Sequence, residues 1–408
     1  MKAAITGAAL RTPLGHRVDA VLDRLLAGDK AALPCPHFPA DTYPCRFVAA
    51  IPPADVPAPS AHSRILSRMG RFALDTAREA AASLPKLPPD RIGLFAAMGG
   101  LRASWDELLP ALQKQEDSFA GSWRRGLKDL HPFWMLRLLS NNAHALAAQD
   151  LGLRGEGATF AGSLSGASAL HAAILALQDG AIDAAVVMAY DSLIEPESLI
   201  GLAAQGRLVQ GNDPASAAPY GPGGGGLPGE AAASLLLERV DPAMETGRAV
   251  ALVEVVDGAD GEATLPAAES LLPLLSRLPL CADATPGFVD GCAVACPAFD
   301  AQERQILGRL LPPQTPLIAT QAGLGILGAA MPVVQTIVLS GLLQRERLPP
   351  IAALLAPSPG PLSPLTEVRS LAARSALGLS VGAPGMAAAV WVGRISRAGA
   401  FLSGDSLL

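Results

Sequence analysis

Apolar residues fall into short runs and helical stripes that alternate along the chain, and the alternation predicts its elements. Lys2–Thr6 reads as a strand and Val18–Ala27 as a helix closed by Gly28. Ser63–Ser83 reads as a long amphipathic helix, and Ile92–Ala97 as a strand running into Met98-Gly-Gly. Met135–Leu151 reads as a further helix, with Gly152 placed to cap its C-terminus. Strand–helix alternation of this kind implies a mainly parallel sheet covered by helices.

Two stretches share one design. Ala158–Leu164 reads as a strand, followed by a Gly/Ser turn, the apolar helix Ser165–Leu177 and the strand Ala184–Ala189. Leu317–Thr320 reads as a strand, followed by Gln321-Ala-Gly-Leu-Gly, the apolar helix Ile326–Leu343 and later the strand Ala387–Val392. Two apolar helices, each entered through small residues, predict a pseudo-duplicated α/β/α/β/α sandwich with halves at 1–256 and 257–408. Asp257-Gly-Ala-Asp-Gly-Glu reads as the loop between them, and Pro357–Pro364 as a surface connection. The glycine-dense stretch Gly221–Gly229 reads as a flexible surface loop. A phosphate cradle would need Lys-Ser or Lys-Thr after the glycines, and Glu230-Ala-Ala-Ala supplies neither.

Composition narrows the class. Half of the 408 residues are hydrophobic and 17% are charged, which excludes a disordered or polyanion-binding chain. The net charge of −6 gives no reason to expect nucleic acid as a partner. No charge occurs between Arg309 and Arg345, long enough to span a bilayer. Prolines, glutamines and glycines break that run, so a helix buried on all sides accounts for it better. Five cysteines, an odd number, and an opening apolar stretch too short for export point to a reducing cytosol.

Several segments occur in a telling order: Ala4-Ile-Thr-Gly with Arg11-Thr-Pro-Leu-Gly, Arg68-Met-Gly-Arg-Phe, His131-Pro-Phe-Trp with Asn141, Gly229-Glu-Ala-Ala-Ala-Ser-Leu-Leu-Leu-Glu, and Leu327-Gly-Ala-Ala. Together they resemble the beta-ketoacyl-ACP synthase (ketosynthase) family of the thiolase superfamily, over nearly the whole chain. The resemblance implies the five-layered thiolase-like α/β fold. It also implies chemistry by a cysteine at the N-terminus of a buried helix, where the helix dipole favours a thiolate, with two histidines opposite.

None of the three is present. Aligned on Ala161-Gly-Ser-Leu-Ser-Gly-Ala-Ser-Ala-Leu-His171, the nucleophile position holds Ser163. Aligned on Val289, Pro297 and Asp300, the first histidine becomes Cys292, at a strand end facing the pocket. The second falls at Gly325 or a neighbour, and the family's lysine at Thr320 or Gln321. The six histidines (His16, His37, His62, His131, His144, His171) all lie elsewhere. Gly162-Ser-Leu-Ser-Gly166 is no hydrolase elbow, since that motif needs serine where Leu164 stands. Cys292 and Cys296 alone make no metal site, and neither a metal nor a cofactor is expected.

The resemblance therefore points to a chain length factor, the non-condensing member of a type II polyketide or aryl-polyene synthase. Such a subunit pairs with an active ketosynthase and shapes the tunnel for an acyl chain carried on acyl carrier protein. A divergent acyltransferase using Ser163, or a carrier-binding scaffold, are the alternatives. By the same resemblance Phe133, Trp134 and Leu138 are interface or tunnel residues, and Ala383 replaces the bulky residue of the family's gating loop. Arg64, Arg68 and Arg71 at helical spacing, with Arg124, Arg125 and Lys128, are candidates for docking an acidic carrier protein.

Overall fold

The structure, a computed structural model, describes residues 2–57, 61–100, 126, 128, 130–209, 213–216, 218–259, 267–278, 285–382 and 385–395. Its main strands are β1 (Ala3–Arg11), β2 (Ile92–Met98), β3 (Gly157–Ala161), β4 (Ala184–Ser192), β5 (Glu230–Glu238), β6 (Ala251–Ala259), β7 (Phe288–Asp290), β8 (Pro316–Ile318), β9 (Ser363–Pro364), β10 (Ser375–Gly382) and β11 (Met386–Arg394). Hydrogen bonds join them in the order β9-β8-β7-β10-β11-β6-β1-β5-β4-β2-β3. β1 is the joint. Ala4–Arg11 pair antiparallel with β5 along one edge and Ala3–Ile5 with β6 along the other, and the register with β5 shifts between Ile5 and Gly7.

On either side of that joint the topology repeats. β3, β2 and β4 are parallel, and β5 and β1 follow antiparallel. β8, β7 and β10 are likewise parallel, and β11 and β6 follow antiparallel. The expected duplication is thus a duplicated topology. β6 runs unbroken to Ala259, so Asp257 and Gly258 belong to the strand that opens the second half and not to a linker, and a boundary at 256/257 would cut that strand.

Helices α1 (Ser165–Gln178) and α2 (Met331–Arg345) pack on each other and on strands of both halves, forming the middle layer. Twelve of the fifteen α2 residues are buried, so the uncharged window belongs to a helix with no face for water. Among the described residues no helix is long and apolar enough to cross a membrane. Outside the sandwich, helix Arg68–Ala80 lies on β5, β4 and β1 and buries Phe72, Ala73 and Ala77. Ser67 caps it by accepting the Gly70 N–H at 3.0 Å.

Further elements differ from the sequence reading, and the helix expected over Ser63–Ser83 is regular only at Arg68–Ala80. Met135–Leu151 is two helices, Trp134–Leu138 and Asn142–Leu151, the second ending at Gly152 in the left-handed conformation. The apolar run after Gly325 becomes regular helix only at Met331, after a turn at Gly328–Ala330. The later part of the glycine stretch is packed and not loose. Gly225 donates to the Ala295 carbonyl at 2.5 Å, and Gly226 exchanges backbone hydrogen bonds with Arg207 and Val209. Gly225 has φ +96° with the Val209 backbone against it, which leaves no room for a side chain.

Candidate functional site

Ser163 sits in the sharp turn from β3 into α1. Gly162 has φ +119° and donates to the Met98 carbonyl at 3.0 Å, and the Ser165 hydroxyl donates to that same carbonyl at 2.9 Å. Leu164 is held left-handed at φ +60°, a conformation that costs a non-glycine residue about 1–2 kcal/mol. Strain of this size persists where surroundings over-determine a turn, typically at a functional site. The turn presents Ser163 at the N-terminus of a buried helix, where the helix dipole favours negative charge. It opens on a pocket of about 360 Å3 whose lining includes Ser198, Gln205, Arg207, Gln321 and Ser380.

No imidazole lines this pocket among the described residues. His171 lies two turns along α1 and is held by Asp257 at 2.7 Å. His144 faces the Thr159 hydroxyl at 2.7 Å, and burial lowers its pKa. His16 and His62 pair with Asp55 and Asp150, and His131 accepts from the Phe133 N–H. His37 lines a smaller neighbouring cavity. A serine hydroxyl needs an adjacent base to become a nucleophile, and the pocket offers no imidazole for that task.

The other two degenerate positions do not face the pocket. Cys292 is buried behind it: its N–H donates to Glu303 at 2.8 Å, while burial and that carboxylate push the thiol well above its ordinary pKa. The expectation that Cys292 faces the pocket is thus corrected. Gln321, which does line it, donates to the Cys292 and Ala293 carbonyls at 3.3 and 2.8 Å. Gly325 has φ +84°, with Ala49 and the Leu227 carbonyl where a side chain would go, so it contributes no group. Its neighbour Ile326 puts an aliphatic side chain there instead. Thr320 donates to Asp290 at 2.6 Å, Gln335 donates to the same carboxylate at 2.9 Å, and the pocket's Ser380 donates to Gln335 at 3.2 Å. This network braces the pocket wall, and the carboxylates among the described lining residues are Asp191 and Glu197.

Below Cys292, Tyr220 donates its hydroxyl to Glu303 at 2.8 Å and its N–H to Asp300 at 2.9 Å. Burial raises Asp300 to about 7. The folded state therefore keeps a proton that the unfolded chain loses near pH 4, so this contribution to stability fades as pH rises towards 7. In Asp300→Asn, unfolding midpoints compared across pH 4–7 should show a smaller decline than in the unsubstituted protein.

The remaining sequence candidates separate. Phe133 is 44% exposed, and Trp134 and Leu138 are half-buried, Leu138 lining the smaller cavity of about 80 Å3. That cavity adjoins the Ser163 pocket through Gly99 and Asp191, which line both. Arg64 and Lys128 are exposed, Arg71 half-buried. Arg68 is bound bidentately by Glu230 at 2.6 Å on both arms, so its charge is taken up inside the fold and the docking expectation for it is corrected. Arg124, Arg125 and Ala383 lie outside the described residues. Arg207 was missed. Nothing in Gln205-Gly-Arg-Leu marks a pocket residue, because only the packed glycine stretch draws it inward.

Known proteins share this fold. The profile of the family described as "Beta-ketoacyl synthase, N-terminal domain" matches residues 2–243. A 3-oxoacyl-[acyl-carrier-protein] synthase I, chloroplastic, of Hordeum vulgare is 27% identical over 272 residues. That match covers 62% of this chain and 56% of the barley protein, so the chain spans about half the length of that relative. The crystal structure of a beta-ketoacyl synthase from Burkholderia phymatum STM815 superposes with a TM-score of 0.84 at 19% identity, covering 97% of this chain and 100% of the other. The ishigamide ketosynthase/chain length factor does so with a TM-score of 0.82 at 19% identity, covering 97% and 99%. With the duplicated topology and more than half of its length matched to the family profile, this chain belongs to the beta-ketoacyl synthase family.

Proposed function

We propose that this chain is a non-condensing member of the family, a chain length factor that works in the cytoplasm beside an active ketosynthase. One observation carries the reading: the pocket at the N-terminus of α1 holds Ser163 and no imidazole among its described lining residues. Condensation needs a nucleophile to hold one acyl group and bases to help decarboxylate the other, and proton transfer by a positioned side chain is worth about 10²–10⁴-fold. What this chain offers instead is a wall. Its pocket connects by Gly99 and Asp191 to the cavity under Leu138, and above that cavity an apolar surface is exposed.

That surface comprises Phe133, Met135, Leu136 and Leu139, each at least 40% exposed. β3 forms the edge of the sheet, pairing only with β2 among the described residues. An exposed apolar patch and an open strand edge are features a soluble protein covers with a partner. The occupant argued for is a ketosynthase carrying the cysteine and both histidines, and the shared tunnel would receive an acyl chain from acyl carrier protein.

Co-expression with such a ketosynthase should give a one-to-one complex stable through size exclusion. Met135→Asp with Phe133→Asp should weaken it by at least about tenfold, since central apolar anchors dominate interface energy. A chain that stays monomeric beside every such ketosynthase would refute the assignment.

A further inference from the structure

Arg207 is 6% exposed, yet its side chain makes no hydrogen bond and no ion pair among the described residues. Among the described residues its Nε is buried without a hydrogen-bond partner, and the side chain lines the same pocket as Ser163, whose wall also holds the Asp191 and Glu197 carboxylates without either being bonded to Arg207. Burial lowers its pKa only to about 10, so it stays charged at neutral pH. A buried cation is ordinarily matched by a carboxylate within the fold, because stripping water from an unpaired charge costs several kcal/mol. Arg68, matched by Glu230, shows the fold making that provision elsewhere. Next to Arg207, the Gln205 Oε1 is also buried without a partner and lines the pocket. Its amide, turned over, would present its NH2 group to an anion.

We propose that Arg207 is an anion-recognising residue of the Ser163 pocket, which takes a short acyl chain ending in a carboxylate in preference to a fully apolar one. The proposal rests on reading that pocket as an acyl site. An all-apolar chain would cover Arg207 and leave it unpaired, whereas a carboxylate offers the planar two-oxygen face that a guanidinium binds bidentately. No bond forms or breaks in this recognition. The pocket volume suits a chain of a few carbons lying between the Ser163 turn and Arg207.

The test uses the purified full chain and calorimetric titration with glutaryl-pantetheine, its neutral counterpart pentanoyl-pantetheine, and free glutarate. Glutaryl-pantetheine should bind at least about tenfold tighter than the pentanoyl thioester, and Arg207→Gln should abolish that preference. Free glutarate binding as tightly as the thioester would overturn the proposal by showing that the site takes a free acid and not an acyl chain. Equal binding of the two thioesters, or a preference that survives in Arg207→Gln, would overturn the role of Arg207 while leaving the acyl-site reading intact. Binding of neither thioester would overturn both. As an independent readout, Arg207→Met without ligand should melt above the unsubstituted protein, because it removes a buried charge that no carboxylate among the described residues pairs with. A lower melting temperature would mean that the guanidinium has a structural partner and the proposal fails.

Discussion

Given acyl and malonyl thioesters, the isolated chain should form no condensed product, and Ser163→Cys should not rescue it. The substitution does create a reactive thiol. A cysteine at the N-terminus of α1 has its thiolate favoured by the helix dipole, so iodoacetamide should label it faster than the buried Cys292, whose thiol is held protonated. Product formation should still fail, because decarboxylation and enolate stabilisation in the family call for imidazoles, and none lines the pocket among the described residues. Cys292 is behind Gln321, Gly325 has no side chain, and Ile326 is aliphatic. Missing acid–base assistance alone should leave the rate about 10²–10⁴-fold below that of an intact family member. Product from Ser163→Cys approaching the rate of an intact ketosynthase would show that some other group supplies the base.

The largest structural effect is expected at Glu230. Its carboxylate is fully buried and accepts both arms of Arg68, the Ile51 N–H at 2.8 Å and the Ser192 hydroxyl at 3.3 Å. Glu230→Ala strands the Arg68 charge and leaves the Ile51 donor without an acceptor. Breaking one side of such a buried pair costs about 3–5 kcal/mol. Chemical denaturation should therefore show that loss, or the variant should not accumulate as soluble protein. The double variant Arg68→Met with Glu230→Gln should recover part of it, because no charge is then left unmatched. A loss below about 1 kcal/mol for Glu230→Ala would mean that water replaces the carboxylate, and that the pair is as weak as an exposed one.

Much of the fold could be read from the chain because its signals are local. Ser165–Leu177 and the uncharged run before Arg345 are dominated by apolar residues, as suits the helices of a middle layer. The position of Ser163 could be read because the run to His171 aligns without a gap, and its neighbours Gly162 and Leu164 then adopt the left-handed angles of a tight turn. What could not be read depends on contacts between distant segments. Arg68 looked like a surface charge until Glu230, 162 positions away, was seen to bind it. Alignment and a strand end place Cys292 towards the pocket, whereas Glu303 and Gln321, which enclose it, come from other elements. Arg207 carries no signal, since its segment is held by glycines from elsewhere in the chain: Gly226 donates to the Arg207 carbonyl and Gly225 lies against the Val209 backbone.

The measurement closest to the central claim is intact-mass analysis of the complex with an active ketosynthase after exposure to acyl carrier protein loaded with an acyl chain. The expected result is one acyl adduct on the ketosynthase and an unchanged mass for this chain. An acyl adduct on this chain that disappears in Ser163→Ala would contradict it, and would make Ser163 a working nucleophile.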